Sequence, residues 1–449
     1  MNRGPNNHSH QPDRGPTRLR FLAGSILALV SILLNACSNP DLVPLMPTPL
    51  VYQLSEKSPL ENIPEEERWN LRKVYYATTR EREPNLRRIV YTNEESNEVS
   101  IGMALVSFGG YDLSWADLSS ASATAERREE ISLHISGIME IGRLQVAPQG
   151  EVLEARGATE WLIRDMGDSI DDARDKDVLI YVHGAKVDFF NACAFAAQLD
   201  HFMGRDMTSI AFSWPTRQNL AAYALGNDLS RGMRSAPALA SLIRMIADNT
   251  EARRIHIVTW SAGGRVVTEA LTQLYDLFPE DSPEKLRERL RVGRVYYAAS
   301  DVPRDTFIEA LPKINAMVQE VIVTASSEDE ALKGAAIFMG GSTRIGQVTS
   351  EPLTSEQREV VLAADRLQYV DVSSGREERG FDIVGHRYWL NHPWASTDMI
   401  LTIRTDLDPG ERGLVPGENQ PIQWIMPPDY PDRIRALVSD PAYMIRKEP

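Results

Sequence analysis

The run Thr259-Trp260-Ser261-Ala262-Gly263 places a serine at a corner. Before it, "IHIVTW" alternates around β-branched residues and reads as a buried strand; after it, "GGRVVTEALTQLYDLF" has the spacing of an amphipathic helix. No residues are left over for an ordinary loop. A chain that turns this sharply holds the serine in a strained conformation with its hydroxyl thrust forward, and small residues must flank it because strand and helix backbones crowd there. The usual pattern is G-x-S-x-G. Gly263 supplies the second glycine, and Thr259 stands in place of the first, so the helix is expected to stand slightly further off the strand. The structural alternative is a serine that only caps a helix.

A serine hydroxyl needs a base to take its proton. Of the eight histidines, His8 and His10 lie in the leading segment, His134 precedes the sheet core, His183 adjoins Gly184, His201 falls on an early helix and His256 sits inside the strand before the corner. His386 and His392, both in "GHRYWLNHPW", follow the last clear strand. His386, after a glycine in a loop, is the candidate base and His392 the alternative. A carboxylate must then orient the imidazole and stabilise its charged form. Chain order confines it to strand ends between Ser261 and His386. Asp329 in "VTASSED" is the candidate, Asp301 in "YYAASD" the alternative acid, and Glu328 is adjacent to the first. Two preorganised N–H donors complete such a site. The amide of Ala262 follows the serine directly, and that of Ala185 follows Gly184 in "YVHGAK".

The elements that must position these groups alternate. From Asp177 onward, the strands "DVLIYVHG", "TSIAFSWP", "RRIHIVTW", "RVGRVYYAAS", "QEVIVTAS" and "LQYVDVS" are separated by helical stretches. These stretches include one running through Pro237, "EDEALKGAAIFMG", and a last helix at "HPWASTDMILTIRTDL". Continuous apolar strands alternating with helices predict a doubly wound, mostly parallel sheet. Upstream, "RKVYYATTR", "EVSIGMALVSFG" and "EISLHISG" predict a β-rich N-terminal extension of that body. The expected organisation is a leading segment over 1–36, a Pro-rich extended tether over 37–70, the β-rich extension over 71–176, the α/β core over 177–408 and a C-terminal extension over 409–449 that packs over an edge or wraps the body. Phe189, Phe190, Trp214 and Trp260 are candidate pocket-lining aromatics, with plain core as the alternative.

At the start, Arg14, Arg18 and Arg20 precede "FLAGSILALVSILL", short for a bilayer span and suited to a signal-peptide core. It ends in "LNAC", which resembles the bacterial lipoprotein box. That resemblance implies cleavage before Cys37, a lipid-modified (palmitate-type) Cys37 thiol and, with Ser38 following, an outer-membrane anchor facing the periplasm. An uncleaved N-terminal anchor is the alternative. Two cysteines, Cys37 and Cys193, exclude a disulfide framework. A net charge of −15 argues against nucleic acid as a partner.

"YVHGAKVDFFNA", "AFSWPTR", "VTWSAGGRVV", "SSEDEAL" and "GHRYWL" occur in this order, with "VYYATTR" ahead of them. As a set they resemble an uncharacterised bacterial α/β-hydrolase family related to the esterase and lipase superfamily, from about Arg72 to Thr405. Members usually carry a small residue at the position of Thr259 and a His at that of Trp260. The resemblance implies the α/β-hydrolase fold and carries over Ser261, Asp329 and His386. The expectation is a serine hydrolase acting on small-molecule or lipid esters through an acyl-enzyme. A serine peptidase, or an inactive binding scaffold favoured by Thr259 and Trp260, are the alternatives. No cofactor is expected. There is no H-E-x-x-H pair, cysteine cluster, P-loop or dinucleotide glycine pattern.

Overall fold

The computed structural model describes Met1 and residues 43–55, 58–84, 88–110, 112–217, 226–329, 331–333, 343–349, 351–374, 386–418 and 421–440. The signal-type segment, Cys37 and most of the helix expected at "EDEALKGAAIFMG" lie outside them. Residues 39–449 form one unit, built on a 13-stranded sheet.

In chain order the strands are β1 (Val43–Pro44), β2 (Leu71–Arg82), β3 (Tyr91–Phe108), β4 (Ser132–Val146), β5 (Val152–Gly157), β6 (Val178–Val182), β7 (Thr208–Ser213), β8 (Ile255–Trp260), β9 (Val292–Ala298), β10 (Val318–Ala325), β11 (Leu367–Asp371), β12 (Val415–Pro416) and β13 (Gln423–Ile425). Their spatial order is β1-β4-β3-β2-β7-β6-β8-β9-β10-β11-β13-β12, with β5 beside β4. Every pairing from β2 through β7, β6, β8, β9, β10 and β11 to β13 is parallel. The upstream hairpins β2–β3–β4 are antiparallel, so the β-rich extension is the continuation of one sheet. The long strands β3 and β4 exceed the runs expected from sequence, and β12 and β13, too short to leave a pattern, extend the far edge.

The main helices are α1 (Leu50–Leu54), α2 (Thr159–Asp172), α3 (Phe189–Phe202), α4 (Asn227–Asn249), α5 (Gly263–Asp276), α6 (Arg304–Met317), α7 (Pro393–Arg404) and α8 (Tyr430–Ser439). Two apolar clusters divide the molecule into layers. One gathers α1, α3, α7 and α8 on one face, and the other α2, α4, α5 and α6 on the opposite face. β6 and β8 lie between them with every residue buried, which is why they read as unbroken apolar runs. The sheet is thus doubly wound and mostly parallel, as expected. The helix through Pro237 is continuous over Asn227–Asn249.

The tether expectation needs correction from Val43 onward. α3 is apolar nearly all round, and a helix of that composition must be covered on its outer side. The segment from Val43 covers it: Val43, Leu45, Met46, Leu50 and Val51 are buried. The Met46 amide donates to Gln198 Oε1 at 2.8 Å, and Tyr52 Oη donates to the Phe202 carbonyl at 2.6 Å. Arg127 donates to the Leu45 and Met46 carbonyls at 2.8 and 2.7 Å, satisfying backbone that the prolines leave outside any ladder. The C-terminal extension likewise buries Leu414, Met426, Tyr430 and Ile434 in the same layer.

Candidate active site

Ser261 occupies the turn from β8 into α5 with φ +53°. A non-glycine residue held in this left-handed region costs about 1–3 kcal/mol unless its surroundings over-determine it. Here they do. The Ser261 amide donates to the Ala298 carbonyl at 3.0 Å, and the Ser261 carbonyl accepts from the amides of Gly264 and Asp301, each at 3.1 Å. The turn needs its glycines. A Cβ on Gly263 would lie 2.5 Å from the His183 carbonyl and 2.7 Å from Thr259 Oγ1, and one on Gly264 would lie 2.1 Å from Ser300 Oγ. Thr259 is therefore accommodated by the missing side chain of Gly263. Its hydroxyl is buried with no partner among the described residues.

His386 meets Ser261 from the far side of the sequence. Its Nε2 lies 2.8 Å from Ser261 Oγ, and its Nδ1 lies 2.8 Å from Asp329 Oδ2. Asp329, fully buried, uses its other oxygen to accept the Leu332 amide at 3.0 Å. A carboxylate on Nδ1 selects the tautomer with the proton there, which leaves the Nε2 lone pair facing the serine hydroxyl. Trp260 fixes the histidine from behind. Its Nε1 donates to the His386 carbonyl at 3.1 Å, its ring lies 5.5 Å from the imidazole, and the Arg387 guanidinium sits 5.5 Å over the indole.

The alternatives go elsewhere. Asp301 is buried, but its carboxylate accepts from Arg344 Nε at 2.8 Å and pairs with Arg265 at 3.1 Å. Its contact with the corner is through its backbone amide. His392 caps α7, with Nδ1 accepting the Trp394 amide at 3.2 Å. The amide of Glu328 donates to Ser326 Oγ at 3.2 Å.

The loop after β6 lies against the serine: a Cβ on Gly184 would come within 3.0 Å of Ser261 Cβ. Among the described residues, no protein acceptor engages the amides of Ala185 or Ala262. His183 holds the loop by donating from Nδ1 to the Gly184 carbonyl at 2.7 Å and accepting the Trp214 amide on Nε2 at 3.1 Å. Burial, then the charge of Arg80, lowers its pKa well below the ordinary value, so it stays neutral. Trp214 stacks on His183 and is 1 % exposed. It is loop support and core, not a pocket wall, and Phe189 packs against Tyr76 and Tyr91 in the core. Sequence reading passed over Arg80 and Arg344, both fully buried cations; the signal for the first was an arginine closing the apolar strand "VYYATTR". Among the described residues, no cluster of side chains is arranged to hold a metal ion, and no helix is long and apolar enough to cross a membrane.

No curated protein matches the sequence. Among solved structures, the chain is similar to a Pyrococcus horikoshii acylaminoacyl peptidase at 12% identity and a TM-score of 0.23. That match covers 62% of this chain and 44% of the other, so this chain spans less than half of that protein's length. Residues 157–404, more than half of the sequence and including all three segments that meet at Ser261, match the model of a family described as alpha/beta hydrolase of unknown function (DUF900); the chain belongs to that family.

Proposed function

We propose that the protein is a serine hydrolase that cleaves carboxylic esters through an acyl-enzyme. What supports this reading is the continuous contact chain Ser261 Oγ–His386–Asp329, with 2.8 Å at each link. Ser261 Oγ attacks the acyl carbon while its proton passes to His386 Nε2. The imidazolium, held by Asp329, returns that proton to the departing alkoxide. A water then gives its proton to His386, attacks the acyl carbon, and frees the acid as Ser261 regains its hydrogen. The amides of Ala262 and Ala185 receive the oxyanion of both tetrahedral intermediates. The start of the chain is read as a lipoprotein signal, so the mature enzyme is held by an acylated Cys37 on the outer membrane, facing the periplasm. Incorporation of an alkyne palmitate that is lost in Cys37→Ser is the expected result for that part.

A fluorophosphonate probe is expected to label the wild-type protein stoichiometrically, and Ser261→Ala is expected to abolish labelling and turnover of 4-nitrophenyl esters. Labelling that persists in Ser261→Ala would refute the assignment. A wild-type protein neither labelled nor active on short- and long-chain esters would leave the fold as an inactive binding scaffold.

A further inference from the structure

Arg80 comes from outside the segment that matches the family, yet it ends beside the serine loop. The register of β2 on β3 shifts between Thr78 and Arg80, with the extra residues on β3, so Arg80 keeps the two-residue alternation of β2 and faces the same side as Val74, Tyr76 and Thr78. Arg80 is turned into the interior and is fully buried. Its guanidinium donates to Ser213 Oγ at 2.8 Å, Asn93 Oδ1 at 2.7 Å, the Thr92 carbonyl at 3.3 Å and the Val187 carbonyl at 2.5 Å, with His183 Nε2 at 3.5 Å. All these partners are uncharged. Burial lowers its pKa to about 10, with attraction to Asp188 partly opposing, so it is cationic at neutral pH. A buried cation bound only to neutral groups is an expensive way to fill space, since an apolar side chain of similar volume is generally at least as stable. Its placement says what it does. Val187 closes the loop that begins at His183 and contains Ala185. Lys186 in that loop has φ +58°, and its amide donates to Thr216 Oγ1 at 2.7 Å.

We propose that Arg80 is a positioning residue for the oxyanion site: it pins both ends of the 183–187 loop so that the Ala185 amide is aimed at the developing negative charge, and it sets a fixed positive charge behind that amide. The inference rests on Ser261 being the nucleophile. It gives the upstream β-hairpins a role in the chemistry through Arg80 on β2 and Asn93 on β3. A donor displaced by a fraction of an ångström loses most of its value in the transition state while leaving ground-state binding nearly untouched.

The test measures Arg80→Ala and Arg80→Lys in the full chain, with kcat expressed per site titrated by the fluorophosphonate, so that unfolded molecules do not count. On 4-nitrophenyl butyrate, kcat is expected to fall about 10²-fold with KM within threefold. The inhibition constant of a trifluoromethyl ketone, which mimics the tetrahedral oxyanion, is expected to rise by the same factor. Added guanidinium at millimolar concentration should restore part of the activity of Arg80→Ala and none of that of Ser261→Ala. Should the Arg80 variants not fold, Asn93→Ala and Ser213→Ala each remove one guanidinium partner and are expected to shift kcat and the ketone constant in parallel by smaller factors. Activity per site within threefold of wild type in the folded variants, or a fall in kcat with an unchanged ketone constant, would overturn the proposal. A wild type without labelling or turnover would instead overturn the hydrolase reading.

Discussion

Replacing Asp329 by Asn tests the site most sharply, because its two oxygens do different work. Oδ1 accepts the Leu332 amide at 3.0 Å and Oδ2 faces His386 Nδ1 at 2.8 Å. Asn has one acceptor and one donor, so it can satisfy only one of these contacts. With its oxygen kept toward Leu332, its NH2 donates to Nδ1 and drives the imidazole proton to Nε2. Ser261 Oγ then meets an N–H and loses its base. With the amide flipped, the tautomer is correct, but the NH2 group faces the Leu332 N–H, which costs about 1–3 kcal/mol. That is about 5- to 150-fold in population. The flipped form also lacks the carboxylate charge that stabilises the imidazolium. Together these predict a loss in kcat of about 10³–10⁴, equivalent to about 4–5.5 kcal/mol of barrier. The assay is ester turnover per titrated site, with melting temperature measured alongside. Asp301→Asn is the control. It leaves the backbone contact to Ser261 and weakens the Arg344 and Arg265 pairs, so it is expected to lower the melting temperature more than the activity per site. A loss under tenfold in Asp329→Asn, or an equal loss per site in Asp301→Asn, would refute the reasoning.

Trp260→Phe keeps an aromatic side chain but removes the donor to the His386 carbonyl at 3.1 Å and part of a buried indole; about 1 kcal/mol of positioning is expected to be lost, read as roughly a fivefold fall in kcat per titrated site, alongside a lowered melting temperature from the lost packing. Gly263→Ala drives a Cβ to 2.5 Å from the His183 carbonyl and is expected to destabilise the fold by at least about 2 kcal/mol in urea unfolding, as backbone overpacking does. The third prediction concerns pH. Burial, chiefly, holds His183, His201 and His256 below their ordinary pKa, with Asp177 partly opposing at His256. Their folded pKa values lie below the unfolded value of about 6.5, so the stability they allow is complete above that pH and is lost as pH falls below it, at up to about 1.4 kcal/mol per histidine per pH unit. A melting temperature that declines from pH 7 toward pH 5 is expected; a flat profile would contradict the buried neutral assignments.

The corner at Ser261 was readable because everything that makes it is local. A buried strand, a serine and two glycines fall within ten residues, and the short distance itself demands the strained turn. The alternation of apolar strands and helices was readable for a similar reason, since burial on both faces leaves continuous apolar runs. Val43–Leu54 misled because prolines and polar residues suggest an extended chain. Only the bare outer face of α3 reveals what Leu45, Met46 and Val51 are for.

By itself the sequence determined the layered fold and offered a corner serine with a short list of candidate partners. Tertiary structure brings Asp329 and His386, and not Asp301 or His392, into the contact chain at Ser261. Asp301 and Asp329 stand at equivalent strand ends, and no local feature separates them. What separates them is that Arg344 and Arg265 occupy the carboxylate of one, while His386 Nδ1 meets the other. Arg80 is the same lesson from the opposite direction: 103 positions before His183, it reaches that loop only because β2 pairs with β7, which itself pairs with β6. Periodicity reports which face of an element is buried; which distant side chains share that interior is set by how the elements pack.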